Sequence, residues 1–163
     1  TGERCCSVPE RVPDLRAALA ALLRVRRALA QDRLFLHADY RLATDSWGLT
    51  SHTVSARALL TLSPRAVLGA SARGYLQGAA DFHRTRYVGA DAVPAYRTRD
   101  RNLGPERSAS LGLACELALG GSPTSDGPHL TAAATWLALF WPGDPLQQRR
   151  DAVLATVSLE VPF

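Results

Sequence analysis

Apolar and polar residues alternate along most of this chain. Such alternation is typical of β-strands, in which successive side chains point to opposite faces. Seven stretches show it, each about twelve residues long or longer. They predict strands at 14–27, 33–45, 51–62, 66–77, 108–119, 129–141 and 151–163.

The first stretch also fits a helix. Ala, Leu and Arg are strong helix formers, and Leu15, Leu19 and Leu22 share one helical face. A tight turn and a well-defined strand follow it, which favours a strand at 14–27. Both interpretations stay open from the sequence alone.

The connections between the strands alternate in length. "AQD" and "SPR" are short, whereas the segment at about 78–106 is long. Outer-membrane barrels have short periplasmic turns and longer external loops. We therefore predict an irregular segment at 1–10, then the strands and loops of a barrel over 11–163, with 78–106 as a long external loop.

The length of the strands separates two kinds of all-β protein. A soluble β-sandwich also alternates, but its strands usually have five or six residues. The longer alternation here suits a lipid face opposite a polar lumen. The chain also closes on a strand ending in Phe163, the form that a barrel-assembly signal takes. We therefore expect an all-β fold, an antiparallel up-and-down transmembrane β-barrel with about seven strands, and keep the β-sandwich as the alternative.

Composition limits the other classes. Hydrophobic residues make up 47% of the chain and charged residues 21%, and the longest apolar run, at 130–141, is too short for a membrane-spanning helix. The formal charge is +4, but the Arg residues are scattered, so no nucleic-acid partner is expected. Seven strands is an odd number for a single-chain barrel, and the chain contains no Met. Together these features suggest the C-terminal portion of a larger barrel.

Charged residues recur on the polar side of the predicted strands. Facing a wide lumen, they would attract anions, whereas in a narrow barrel they would form a structural ion network. The near balance of charge favours the network. The lumen candidates are Arg41, Arg57, Arg73, Asp39 and Glu116.

A second set of polar and aromatic residues lies where strands end at the external loops. An Asp near a His could bind a metal or hold a general base, but an aromatic girdle with Asp and His fixing the loops is the better interpretation. The rim candidates are Asp45, Trp47, His52, Tyr75, Gln77, Asp81 and Phe82. The spacing of Ser, His, Cys and Gly residues indicates no catalytic residue, metal site or cofactor, so we do not expect an enzyme.

The same residues carry a resemblance to a known family. The stretch "DYRLATDSWGLTSHTVSARALL", then "RGYLQGAADFHRTRY" and "YRTRDRNLGP", resembles a bacterial family of outer-membrane barrels known as domain of unknown function 3570. The likeness covers most of 10–163 and implies a barrel in the bacterial outer membrane. It would contact membrane lipid and be recognised by the barrel-assembly machinery through the strand ending at Phe163. The family implies no activity.

We therefore expect an integral outer-membrane barrel, a channel or transport-related protein with a charged Arg/Asp lumen. A structural or ligand-binding barrel presenting the loop at 78–106 is the alternative, and a soluble β-sandwich binding module is a further one.

Overall fold

Seven long strands form one antiparallel sheet. The computed structural model describes residues 9–85, 94–120 and 127–161. The strands are β1 (Ala18–Leu29), β2 (Leu34–Asp45), β3 (Thr50–Ser63), β4 (Ala66–Gln77), β5 (Glu106–Ala118), β6 (His129–Phe140) and β7 (Arg149–Glu160). They lie side by side in chain order, and a short 3₁₀ helix, Arg101–Leu103, precedes β5. The expected all-β, antiparallel, up-and-down arrangement is confirmed.

The first strand settles the helix-or-strand ambiguity. Residues 18–29 pair with all of β2, from Ala18 opposite Asp45 to Leu29 opposite Leu34. The helical propensity of Ala, Leu and Arg is weak compared with twelve paired positions, so tertiary pairing decides the conformation.

The register sorts the side chains onto two continuous faces. Directly opposed residues share a face, and one row crosses all seven strands through Val25, Ala38, Ala56, Ala72, Leu111, Trp136 and Val153. We call the face that carries this row the apolar face. The other, the polar face, carries a neighbouring row through Arg24, Asp39, Ser55, Arg73, Ser110, Leu137 and Ala152.

The apolar face is the more exposed of the two. In β5, Leu111 is 57% exposed and Leu113 69%, whereas every polar-face residue of that strand is half-buried or buried. The comparison holds for most side chains of equal size. Ala38, Ala56, Ala72 and Ala134 on the apolar face are exposed and Ala43, Ala114 and Ala133 on the polar face are half-buried, although Ala58 and Ala109 on the apolar face are also half-buried and Ala138 there is buried. A sheet that curls toward its polar face produces this difference, because side chains crowd together on the inside of a curve.

The sheet is open. Within the described residues, β1 and β7 each have a neighbour on one side only, and they do not pair with each other. Closure into a barrel therefore stays a prediction. Among the described residues, no helix has the length and hydropathy of a membrane-crossing segment.

The connections make the two ends of the sheet unequal. At one end, β1–β2 and β3–β4 are joined by residues 30–33 and 64–65. At the other, which we call the loop end, β4 and β5 are joined by residues 78–105 and β6 and β7 by 141–148. The long connection predicted at 78–106 is present, one residue shorter because β5 begins at Glu106. Residues 86–93 within it, and the terminal Phe163, lie outside the described residues.

Candidate functional site

The connections at the loop end pack against one another and form what we call the loop cap: residues 9–17, 46–49, 78–85, 94–105 and 141–148. Its centre is a buried cluster of Leu49, Ala80 and Leu103, with Trp47 and Phe82 packed against it. The rings of Trp47 and Phe82 meet edge to face, 5.4 Å apart. The described parts of the long loop, 78–85 and 94–105, are thus folded onto the strand ends.

Asp45 organises the turn between β2 and β3. Its side chain is 3% exposed, and its Oδ1 accepts hydrogen bonds from the backbone N–H groups of Trp47 (2.9 Å) and Leu49 (3.0 Å). Arg16 donates from Nε to Oδ2 at 2.7 Å. Because the protein itself supplies these hydrogen-bond donors, the Asp45 carboxylate stabilises the turn.

Trp47 joins this turn to its neighbours on both sides. Its indole N–H donates to the carbonyl of Leu15 at 2.9 Å, and the guanidinium of Arg16 lies 4.8 Å from its ring centre. Its own carbonyl accepts from the N–H of Asp81 at 2.9 Å. Gly48 has a φ of +79°, and the Asp81 carboxylate fills the space that a side chain there would need. Asp45, Trp47, Asp81 and Phe82 are therefore brought together as predicted, in a structural arrangement.

Gln77 fixes the long loop over the polar face. It is buried at the end of β4, beside buried Ser51 in the register, and its Nε2 donates to the carbonyls of Asn102 and Gly104, both at 2.9 Å. Its Oε1 accepts a hydrogen bond from the hydroxyl of Tyr75. Residues 102–104 therefore lie at the polar-face side of the strand ends, where the mouth of a curled sheet would be.

The segment before β1 also belongs to the cap. Arg11 and Arg97 exchange backbone hydrogen bonds of 2.9 and 2.7 Å. Glu10 accepts from the hydroxyl of Thr98 (3.1 Å) and from the N–H of Arg99 (2.9 Å). Thr98 is fully buried. The long loop is thereby held to the β1 side of the sheet.

On the other side, Arg101 ties the long loop to the β6–β7 connection. Its Nε donates to Oδ2 of Asp144 at 2.8 Å, and its guanidinium lies 4.8 Å from the ring centre of Trp141. Hydrogen bonds from the backbone N–H groups of Gln147 and Leu146, with the Arg101 guanidinium, hold the pKa of Asp144 below its usual range. Cap contacts thus reach from the segment before β1 to the connection before β7.

Among the described residues, neither His52 nor His83 forms an ion pair with Asp45 or Asp81, the carboxylates of the rim. His52 is on the apolar face, where its Nδ1 is 2.8 Å from the hydroxyl of Tyr40. Strand alternation explains this, since His52 and the buried Ser51 beside it face opposite ways. His83 packs against Gly104, and burial, opposed by the charges of Asp100 and Glu10, lowers its pKa. In the described part of the chain, no three His, Cys, Asp or Glu side chains are grouped so that they could hold a metal ion.

The five lumen candidates all lie on the polar face, but within the described residues they do not form one ion network. Asp39 pairs with Arg24, whose Nε is 2.8 Å from Oδ1. Glu116 lies 3.5 Å from the Nδ1 atom of His129. Arg41, Arg57 and Arg73 have no carboxylate partner among the described residues, and Arg73 instead lies over the ring of Tyr75.

Several cap residues escaped the sequence analysis. Glu10, Arg97, Arg101 and Asp144 hold the loops together and lie outside the alternating segments, whereas Arg16 lies in the alternating stretch at 14–27 but precedes β1 in the structure. The "PGDP" at 142–145 gave a partial signal, because Asp in such a turn commonly binds nearby backbone N–H groups. Their partners are 43 to 89 residues away for Arg101 and Glu10, so the pairs could not be read from local sequence.

The fold and cap define a class: an all-β protein made of one long-stranded antiparallel meander, with its loops folded over one end. The chain belongs to the family described as Protein of unknown function (DUF3570), whose model matches residues 2–127. This match confirms the family that the sequence resembles. No curated protein and no solved structure is similar enough to this chain to add a further comparison.

Proposed function

We propose that this protein is an integral β-barrel of the bacterial outer membrane that conducts or helps to transport small solutes. One observation carries the proposal: the apolar face is continuous over seven strands and is also the more exposed face. Monomeric soluble proteins rarely expose contiguous apolar patches above a few hundred Å². Contact with lipid acyl chains would remove this apolar face from water, which is energetically favourable.

The strand dimensions support the same reading. The strands have 12 to 14 residues, and twelve residues extend over about 40 Å at 3.3 Å per residue. Tilted by about 45°, such a strand crosses about 28 Å, close to the thickness of the hydrocarbon core. Strands of a soluble sandwich have no need of this length.

The relief of the apolar face also suits acyl chains. A shallow hollow of about 940 Å³ crosses it, because short side chains such as Ala38, Ala56 and Ala72 lie between larger ones such as Leu36 and Leu111. Its lining is almost entirely apolar. Flexible hydrocarbon tails can fill such relief without a matched partner surface.

The charges on the polar face are evidence for a lumen that prefers anions. Arg41, Arg57 and Arg73 project from it without carboxylate partners in the described part of the chain. Unpaired positive side chains along a pore wall attract anions and repel cations. This arrangement favours the selectivity role over the internal ion network that the charge balance suggested.

A specific observation favours a second candidate, a structural or ligand-binding barrel. Gln77 holds residues 102–104 at the polar-face side of the loop end, where they would narrow or close a lumen. A soluble β-sandwich module is the remaining alternative and would need a second sheet against the apolar face, whereas all described strands lie in one sheet.

The test begins with the full-length protein extracted from membranes and run in SDS with and without heating. A closed barrel resists SDS until it is boiled, because its backbone hydrogen bonds leave no free edge. We expect a heat-dependent shift in mobility. Equal mobility in both lanes, with the protein in the soluble fraction, would overturn the proposal and leave the sandwich.

Single-channel recording then separates the two kinds of barrel. We expect conductance with anion preference, measured as a reversal potential in a salt gradient. Replacing Arg41, Arg57 and Arg73 with Gln should reduce that preference, while Arg65→Gln in the β3–β4 turn should leave it unchanged. A folded protein that conducts no ions would instead support the structural or ligand-binding barrel.

A further inference from the structure

A cavity of about 480 Å³ lies between the loop cap and the end of the β6–β7 pair. Segments 83–85, 99–105 and 141–146 line it, together with Leu139 and Arg150, which face each other across the polar face. Its volume is within the range of small-molecule sites. Leu139 and Arg150 place the cavity on the polar side of the sheet, away from the apolar face.

Positive charge predominates in this cavity. Arg99, Arg101 and Arg150 line it, with Asp144 as the only carboxylate among its described lining residues. That carboxylate is already engaged: Oδ2 accepts from Arg101, and Oδ1 accepts from the N–H groups of Leu146 and Gln147 at 2.8 and 2.9 Å. Arg99 and Arg150 have no carboxylate partner among the described residues. Within the described part of the chain, two guanidinium groups thus contribute positive charge that no carboxylate offsets.

The cavity also has an apolar wall. The ring of Trp141 offers an apolar surface beside Leu139. The cavity therefore combines positive charge with an apolar wall.

We propose that this cavity binds a small organic anion that carries a phosphate or carboxylate group on an apolar or aromatic body. Arg99 and Arg150 bind the anionic group, and Trp141 and Leu139 contact the apolar part. Arg101 positions Trp141 and is itself held by Asp144. The inference goes beyond the proposed function and does not rest on it, since binding can be measured whether or not the protein conducts.

Calorimetric titration of the folded full chain tests the site, with phenyl phosphate as the probe and phenol and inorganic phosphate as comparisons. We expect phenyl phosphate to bind with a Kd of about 1 mM or tighter. Phenol should not bind, because it lacks the anionic group. Inorganic phosphate should bind more weakly, because it lacks the ring. Absence of phenyl phosphate binding would overturn the proposal.

Variants locate the site. Arg150→Gln and Arg99→Gln should each weaken binding about tenfold, equivalent to about 1.4 kcal/mol. The matched control is Arg65→Gln, which removes the same charge from the opposite end of the sheet and should leave Kd within about twofold. Equal losses in Arg65→Gln and Arg150→Gln would mean that the probe responds only to net charge, and the proposal would fail.

Discussion

The strands and the loop cap are stabilised in different ways. The strands pair along their whole length, yet they leave large apolar side chains such as Leu113, Val153 and Val157 exposed. The cap has less regular structure, but its described part contains a buried apolar cluster, and Asp45 accepts hydrogen bonds from the backbone N–H groups of its own turn. Contacts within the chain therefore stabilise the cap, whereas the sheet depends on what surrounds its apolar face.

The largest expected effect tests that dependence. Leu111→Arg places a charge at the middle of the apolar face, and Ser110→Arg places the same charge one residue away on the polar face. In a bilayer the first should cost about 2–4 kcal/mol, because Arg at the midplane of a barrel's lipid face loses its hydration. The second should cost much less. Reversible urea unfolding in lipid vesicles measures both.

Equal losses from these two variants would contradict a lipid-facing apolar side. A protein that folded without lipid or detergent and tolerated Leu111→Arg would do the same. Either result would remove the proposed difference between strands and cap.

An effect of intermediate size is expected when two glycines of the cap are replaced. Gly48 and Gly143 have φ angles of +79° and +80°, so Ala is strained equally at both. A Cβ at Gly48 would run into the Asp81 carboxylate, whereas none of the described atoms lies within 4 Å of a Cβ at Gly143. Gly143→Ala should cost about 1–2 kcal/mol from backbone strain alone. Gly48→Ala should cost more, because it also separates the β2–β3 turn from residues 80–82.

Thermal unfolding of the two glycine variants, with hydrogen exchange at the Asp81 N–H, checks this difference. Matching stabilities and unchanged exchange would show that the contact between turn and loop contributes little. The cap would then be less tightly joined than its hydrogen bonds suggest.

The smallest effect is expected from pH. The pKa of Asp144 is lowered in the folded protein, so its contribution to stability is present above the pKa of the unfolded chain and is lost as pH falls through the lower, folded value. Acidification should therefore release the Arg101–Asp144 contact and loosen residues 141–148 while the strands stay paired. Hydrogen exchange at the N–H groups of Leu146 and Gln147 reports this release. Asp144→Asn should show faster exchange even at neutral pH, and an unchanged rate in that variant would contradict the assignment.

Local sequence was sufficient to predict the strands, because the alternation that defines a strand involves only residues that are close together in the chain. A period of two places side chains on alternate faces wherever the backbone is extended, so β4 is found at 66–77, as the alternation predicts. The boundaries differ elsewhere by a few residues, as at β1, which begins at Ala18 rather than at 14. There the alternation continues past the last paired residue, and only the length of the partner strand sets the limit.

The candidate site was only partly predictable. Asp45, Trp47, Asp81 and Phe82 were expected at one rim, and they do meet there. His52 was grouped with them because it is close in sequence, yet its position in β3 directs it to Tyr40 on the apolar face. The lumen candidates all lie on the polar face, as the alternation predicts. Their ion pairs were not predictable, since Asp39 contacts Arg24 rather than Arg41, Arg57 or Arg73.

The sequence by itself determined the strands, their order of long and short connections, and the separation into an apolar and a polar face, because each follows from neighbours along the chain. Tertiary structure alone decided how the loops fold back, which joins Glu10 to Thr98 and Arg101 to Asp144 across distant parts of the chain. It also decided which face is the more exposed. Alternation defines two faces without saying which way the sheet curls, and that depends on how all seven strands pack together.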